Sequence, residues 1–243
     1  MPYNLKKFKE VSSTNGLMKE YLDAGSLEDN TVFMTESQTA GRGQGDNKWQ
    51  SEPFKNILAS VYKKLHLPVE HHYLLNMSIA VSICKYLEEL NVKALIKWPN
   101  DIYINNNKLA GLLVENRMLG KNITSTIIGI GLNVNQVSFP KELPNPVSLQ
   151  IVLNKELNLN SVCEGLFNNV IDADIFTGKT DAIYSEYIKR LYRKESYAMY
   201  VDRENGEFEG RIVAVTEQGQ LIVEDKKSHE KRSYFHGDIE YVL

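Results

Sequence analysis

Two lysines, an Asn-Asp pair and the apolar runs around them set the chemistry this chain can offer. Lys97-Trp98-Pro99-Asn100-Asp101 is followed by Lys108-Leu109-Ala110-Gly111. The apolar runs Ala94 to Trp98 and Leu109 to Val114 read as buried strands. Between them, Asp101 to Ile104 reads as an alternating strand, and Asn105-Asn106-Asn107 as a turn whose residues tolerate positive φ. Charge beside a buried strand costs free energy unless something pairs with it. Pro99 has no amide hydrogen and ends the ladder next to Lys97. Such a hairpin suits the floor of a site for an anionic ligand. Taken alone, it equally allows Lys97 and Lys108 to snorkel to a sheet edge.

Three other stretches carry polar chemistry. Ser12-Ser13-Thr14-Asn15 precedes Leu17, Met18, Tyr21 and Leu22, which have helical spacing. Ser12 or Ser13 is the expected cap, and the free amides of a helix start can also hold a polar ligand group. Ser37-Gln38-Thr39-Ala40-Gly41-Arg42-Gly43-Gln44-Gly45-Asp46-Asn47-Lys48-Trp49 has three glycines in five positions, which suits a mobile loop. Arg42 offers a planar fork for phosphate or carboxylate, and Trp49 a flat apolar face. No Gly-Lys-Ser/Thr follows, so this is not the phosphate loop of nucleotide hydrolases. In Gly129-Ile130-Gly131-Leu132-Asn133, glycines inside a strand mark close approach by a ligand or by another backbone.

The elements that must position these groups follow from periodicity. Strands are expected at Leu5–Val11, Thr31–Glu36, Asn56–Tyr62 and Ile123–Val134. A long helix is expected over His72–Leu90, with further helices over Leu157–Gly178 and Ala182–Tyr192. From Ser196 onward, short alternating runs separated by Glu204-Asn205-Gly206 and Gln218-Gly219 predict a small β-barrel. The expected division is residues 1–192 and 193–243.

Composition narrows the class. The 243 residues are 42% hydrophobic and 24% charged, with a net charge of −3. This is an ordinary globular composition, and its bulk charge does not suggest a nucleic-acid binder. Cys84 and Cys163 give neither metal spacing nor a disulfide framework. The histidines lack the i, i+4 spacing of a metal-binding helix. No apolar run is long enough to span a bilayer, and Met1 to Phe8 has no apolar signal region. The expectation is a cytoplasmic protein.

The ordered set Ser13-Thr14-Asn15, Gln38, Gly41-Arg42-Gly43-Gln44, Trp49-Gln50-Ser51, Lys97-Trp98-Pro99-Asn100-Asp101, Lys108-Leu109-Ala110-Gly111 and Gly129-Ile130-Gly131-Leu132-Asn133 resembles biotin–protein ligase, that is, biotin–[acetyl-CoA-carboxylase] ligase. The resemblance runs from about residue 5 to the end of the chain. It implies an α+β fold: a mixed β-sheet with flanking helices, like class II synthetases, plus an SH3-like β-barrel. It also implies two half-reactions. Biotin's carboxylate attacks the α-phosphate of ATP, giving biotinyl-5′-AMP and pyrophosphate. A lysine of an acceptor domain, the biotin carboxyl carrier protein of acetyl-CoA carboxylase or a related carboxylase, then takes the biotinyl group. An anion must meet an anionic phosphate, so cations and Mg²⁺ are required, and the anhydride must be kept from water.

Residue by residue, the resemblance implies that Ser13, Thr14, Asn15 and Gln38 hold the ureido ring. Gly41, Arg42, Gly43 and Gln44 would line the biotin tail and phosphate, Trp49 would pack on adenine and Asn133 would bond its edge. Lys97, with Arg42 and Lys108, would carry the catalysis. Asn100 and Asp101 would orient metal or Lys97, with Asn100 also an ATP contact and Asp101 the metal candidate. Gly111, Gly129 and Gly131 would admit the ligand against the strands. A homodimer through a sheet edge near Gly111–Asn133 is a further implication. Gly45-Asp46 departs from the Arg-Gly usual in the family's loop, which predicts weaker phosphate retention. Regulatory members carry an N-terminal helix-turn-helix domain. The residues before Ser13 are too few for one, so no DNA partner is expected. Lipoate or octanoate–protein ligase is a rival reading, but its Arg-Arg-x-x-Gly-Gly-Gly and Lys-x-Lys-His motifs do not occur here. A non-catalytic biotin-binding protein is the other.

Overall fold

In the computed structural model, which describes residues 2–242, strands β1 (Asn4–Val11), β2 (Thr31–Gln38), β3 (Ile57–Pro68), β4 (Leu95–Lys97), β5 (Asp101–Ile104), β6 (Asn107–Leu119) and β7 (Asn122–Leu132) form one sheet. Its order is β1-β2-β3-β7-β6-β5-β4. β1 and β2 are parallel, and the other neighbours are antiparallel. Parallel strands need a crossover, supplied here by helix α1 (Thr14–Asp23). Ser13 caps that helix, its hydroxyl accepting from the Gly16 amide at 3.4 Å.

Side chains alternate across each strand, so the register sorts them onto two faces. Ile57, Ala59, Val61, Ile128 and Ile130 face α2 (His72–Glu89) and α4 (Leu159–Ile171), with α5 (Ile183–Lys189) packed on α2. Leu75, Ile79, Ile83 and Leu87 of α2 are fully buried there. Burying each such side chain stabilises by about 1.5–3 kcal/mol. On the other face Phe33, Tyr62 and Ile127 pack under Met18 of α1. α1 covers only part of this face, and the uncovered part is the site.

The second sheet contains β8 (Tyr197–Asp202), β9 (Gly206–Val215), β10 (Leu221–Asp225), β11 (Lys231–Tyr234) and β12 (Ile239–Tyr241), in the order β11-β10-β9-β8-β12. All its pairings are antiparallel. It is the small β unit expected of an SH3-like module. It is tied to the larger unit by hydrogen bonds: the Trp98 indole, just after β4, donates to the Gly219 carbonyl at 2.9 Å, and the Tyr184 hydroxyl of α5 to the Val215 carbonyl at 2.8 Å.

Several expectations shift. β3 runs on to Pro68, because Lys63, Lys64 and Leu67 continue the pairing with β7. β5 does not alternate: Ile102, Tyr103 and Ile104 are all buried, since Tyr103 packs on Tyr192 on the side facing away from the isoleucines' core. α4 stops at Ile171 rather than Gly178. A short helix, α3 (Leu149–Leu153), falls where the sequence marks no element. The region Gly111–Asn133 is mostly interior, with β7 lying between β3 and β6. Its free edge is the part of β6 beyond the pairing with β5, which ends at Gly111. Among the described residues, no helix is long and apolar enough to cross a membrane.

Candidate active site

Registry across five strands builds the floor of the site. Leu58 of β3 pairs with Gly131 of β7, Gly131 with Gly111 of β6, Gly111 with Asp101 of β5, and Asp101 with Lys97 of β4. Directly opposed residues project to the same face. The row therefore runs from an apolar side chain through two bare glycines to a carboxylate and an ammonium. The next row is Ser60, Gly129 and Leu113. The result is a trough without side chains along its middle, cationic at one end and amide-rich at the other.

The glycines are required by what lies on them. A Cβ on Gly131 would stand 2.4 Å from the Trp49 indole ring, and one on Gly129 2.5 Å from Asn15 Oδ1. Trp49 thus lies flat across the glycine floor. Its indole nitrogen is buried without a hydrogen-bond partner among the described residues.

At the amide end, Gln38 Oε1 accepts from the Thr14 amide at 2.8 Å and from the Thr14 hydroxyl at 3.2 Å. Ser60 Oγ lies 2.8 Å from Thr14 Oγ1 and 2.5 Å from Asn15 Oδ1. Ser13, Thr14 and Asn15 are buried. A small ligand presenting both donors and acceptors would meet a pre-set polar array here.

At the cationic end, Lys108 Nζ is 2.8 Å from Asp101 Oδ1 and lies over the Trp49 ring. Among the described residues, Lys97 has no carboxylate within salt-bridge distance. Its ammonium sits over the rings of Tyr241, at 4.6 Å, and Tyr103, at 5.3 Å. Burial pushes its pKa below the usual lysine value, with Asp101 opposing and Lys108 and Arg193 adding to the depression. A desolvated ammonium of this kind is stabilised by an incoming anion. Arg42 reaches Glu115 at 3.2 Å, and the glycine loop is folded back as a bridge between Arg42 and Lys48.

One cavity of about 620 Å³ joins the two ends. It brings together Ser13, Thr14, Asn15, Gln38, Arg42, Gly43, Gln44, Trp49, Lys97, Asn100, Asp101, Lys108, Gly111, Gly129 and Gly131. Gly41 and Asn133 stand outside its lining. Gly41 is pressed against the Trp49 carbonyl, and Asn133 donates to the Val147 carbonyl at 3.0 Å, leaving its own oxygen buried and unpartnered among the described residues. The Asn100 amide is committed to the Leu112 carbonyl, so it braces β6. The sequence reading missed Ser60 and Glu115, which the period-two pattern places on the floor's face. It also missed Arg203, His236 and Tyr241, which the second sheet brings to the same cavity. No local pattern marks those three.

Known proteins share the family and the fold. A family model described as the biotin/lipoate A/B protein ligase family matches residues 8–133. The chain is 28% identical over 246 residues to the bifunctional ligase/repressor BirA of Bacillus subtilis, covering 96% of this chain and 73% of that protein. It is 30% identical over 146 residues to the biotin–[acetyl-CoA-carboxylase] ligase of Mycobacterium tuberculosis, covering 58% and 52%. The solved biotin protein ligase from Aquifex aeolicus in complex with biotin and ATP superposes with a TM-score of 0.79 at 23% identity, over 98% of this chain and 99% of that one. The Leishmania major biotin protein ligase in complex with biotin gives a TM-score of 0.65 at 20% identity, over 97% and 99%. These likenesses show a shared fold. The matched segment runs from β1 to the residue after β7 and carries the whole glycine floor, and on that ground this chain belongs to the biotin/lipoate A/B protein ligase family.

Proposed function

We propose that the chain is a biotin–protein ligase that activates biotin with ATP and transfers it to a lysine of a carboxylase acceptor domain. The observation that carries this reading is the single trough with buried amides at one end, Lys97 and Lys108 at the other, and a glycine floor between. Ser13, Thr14, Asn15 and Gln38 fit a ureido ring, whose donors and acceptor match hydroxyls and amides. The glycines let an aliphatic tail lie on the backbone, and the tail's carboxylate then arrives beside Lys97.

In the first step a biotin carboxylate oxygen bonds to the α-phosphorus of ATP, and the bond to the bridging oxygen breaks, releasing pyrophosphate. Lys97 neutralises the approaching anions, and Lys108 and Arg42 hold phosphate oxygens. In the second step the acceptor amine attacks the biotinyl carbonyl, losing a proton as the amide forms, and AMP leaves with the bonding electrons. Lys97 stabilises the developing oxyanion. Mg²⁺ binds reluctantly to all-protein cages and usually comes with phosphates plus one or two carboxylates. Asp101 fits that donor set: one carboxylate oxygen faces Lys108, and no group of three or more metal-binding side chains is present among the described residues. Mg²⁺ would supply charge neutralisation on the ATP phosphates there.

A ligand that binds only the folded state raises its melting temperature. Biotin is expected to do so, lipoate and octanoate not. Stabilisation by lipoate alone would favour the lipoate ligase reading. Biotin binding without biotin-dependent pyrophosphate release would favour a non-catalytic biotin-binding protein.

A further inference from the structure

Glu115 lies on the floor's own face, one row beyond Leu113, opposite Ile127 of β7. One of its carboxylate oxygens, Oε2, accepts from two donors at once. Asn15 Nδ2 stands 2.7 Å away at the amide end of the trough, and Arg42 Nη2 stands 3.2 Å away on the glycine loop. The other end of the Asn15 amide is fixed by Ser60 Oγ at 2.5 Å, and Nδ2 also meets the Leu113 carbonyl at 3.2 Å. A continuous hydrogen-bonded path therefore runs from Ser60 through Asn15 and Glu115 to Arg42. Nothing in the ligase chemistry requires an acid there, since a carboxylate near an anionic substrate is unfavourable unless it serves the protein's own cations and donors.

We propose that Glu115 is a positioning residue that couples the two ends of the trough, so that phosphate at Arg42 tightens the grip of Asn15 on biotin, and biotin favours phosphate in turn. This rests on the ligase reading above. Shared between two donors, Oε2 gives each a fraction of its acceptor strength. The Arg42 pair is half exposed, with side-chain accessibilities of 47% and 33%, and such pairs are weak enough to exchange. A nucleotide phosphate competes for Arg42, and Oε2 is then left to Asn15 alone. The Asn15 amide is thereby held more firmly in the orientation that Ser60 already favours. By reciprocity, a biotin that fixes Asn15 eases the transfer of Arg42 to phosphate.

The test is calorimetric titration of the full chain with biotin, with and without a non-hydrolysable ATP analogue. The unaltered protein is expected to bind biotin at least about fivefold more tightly with the analogue present. Glu115→Gln is expected to bind each ligand singly but to bring that ratio close to one. Glu115→Asp draws the charge back by one methylene. It is expected to lose the coupling likewise and serves if the glutamine variant does not fold. A purely structural role would weaken both ligands and leave the ratio intact. An unchanged ratio in a folded variant overturns the proposal. Failure of the unaltered protein to bind biotin at all overturns the ligase reading on which it rests.

Discussion

The ammonium of Lys97, on the fourth strand of the large sheet, lies 4.6 Å from the ring centroid of Tyr241, on the last strand of the small one. The C-terminal unit is therefore a wall of the candidate site's cavity. The Tyr241 hydroxyl is buried, and that burial pushes the phenol well above its ordinary range, so it stays neutral and offers Lys97 a π-face without a competing charge. Such a contact stabilises a cation by about 0.5–2 kcal/mol. This leaves the ammonium only partly compensated until an anion enters.

Replacing Lys97 by Met should separate activity from stability. Loss of a charge that acts on the transition state typically costs about 10²–10³-fold in rate. Removing a half-buried ammonium that has no salt-bridge partner among the described residues should leave the melting temperature unchanged or raise it. The folded pKa is below the unfolded one, so between the two values the unfolded chain binds more protons and stability rises with pH. Urea midpoints of the parent should rise across that alkaline window, and those of Lys97→Met should not show this rise. Biotin-dependent pyrophosphate release by the parent should fade at a lower pH than an ordinary lysine would dictate, because its charged form is lost earlier.

Two glycine-to-alanine variants should fail in different ways. In Gly131→Ala the new Cβ meets the Trp49 ring, and overpacking of that kind costs about 1–3 kcal/mol. The KM for ATP should rise more than that for biotin, because Trp49 lies beside Lys108 at the cationic end of the trough. In Gly129→Ala the new Cβ meets Asn15 Oδ1, and the KM for biotin should rise more. Steady-state kinetics with each substrate varied in turn checks the split.

Trp98→Phe removes the donor that holds the Gly219 carbonyl across the junction of the two sheets. A buried acceptor left without its partner costs about 1–3 kcal/mol. The denaturant midpoint should fall accordingly. Hydrogen exchange should rise first in the Thr216–Gln220 turn, which that bond anchors.

Much of the floor was legible in the sequence because it is local. Apolar runs bounded by Asn105–Asn107 fixed the hairpin, and glycines at period two marked a bare strand face. What was not legible depends on contacts between elements distant in the chain. Ile175 and Phe176 extend the apolar pattern past the end of α4, toward the expected end at Gly178. In the structure the Ile175 amide donates to Ser78 Oγ of α2 at 3.0 Å, and Asp174 pairs with Lys85 at 2.8 Å, so tertiary partners end the helix. α3 rests on the Ser148 cap, whose hydroxyl accepts from the Ile151 amide at 3.3 Å, and five residues are too few to show a helical period. Glu115 is the acid that ends the apolar run Leu109 to Val114 within β6, a visible irregularity. Its partners Asn15 and Arg42 come from segments far away in sequence.

The most direct test of the account is exchange of labelled pyrophosphate into ATP by the purified protein with Mg²⁺ present. Exchange is expected to depend strictly on biotin, to find no support from lipoate, and to fall by at least about a hundredfold in Lys97→Met. Exchange that proceeds without biotin, or that survives intact in that variant, would contradict it.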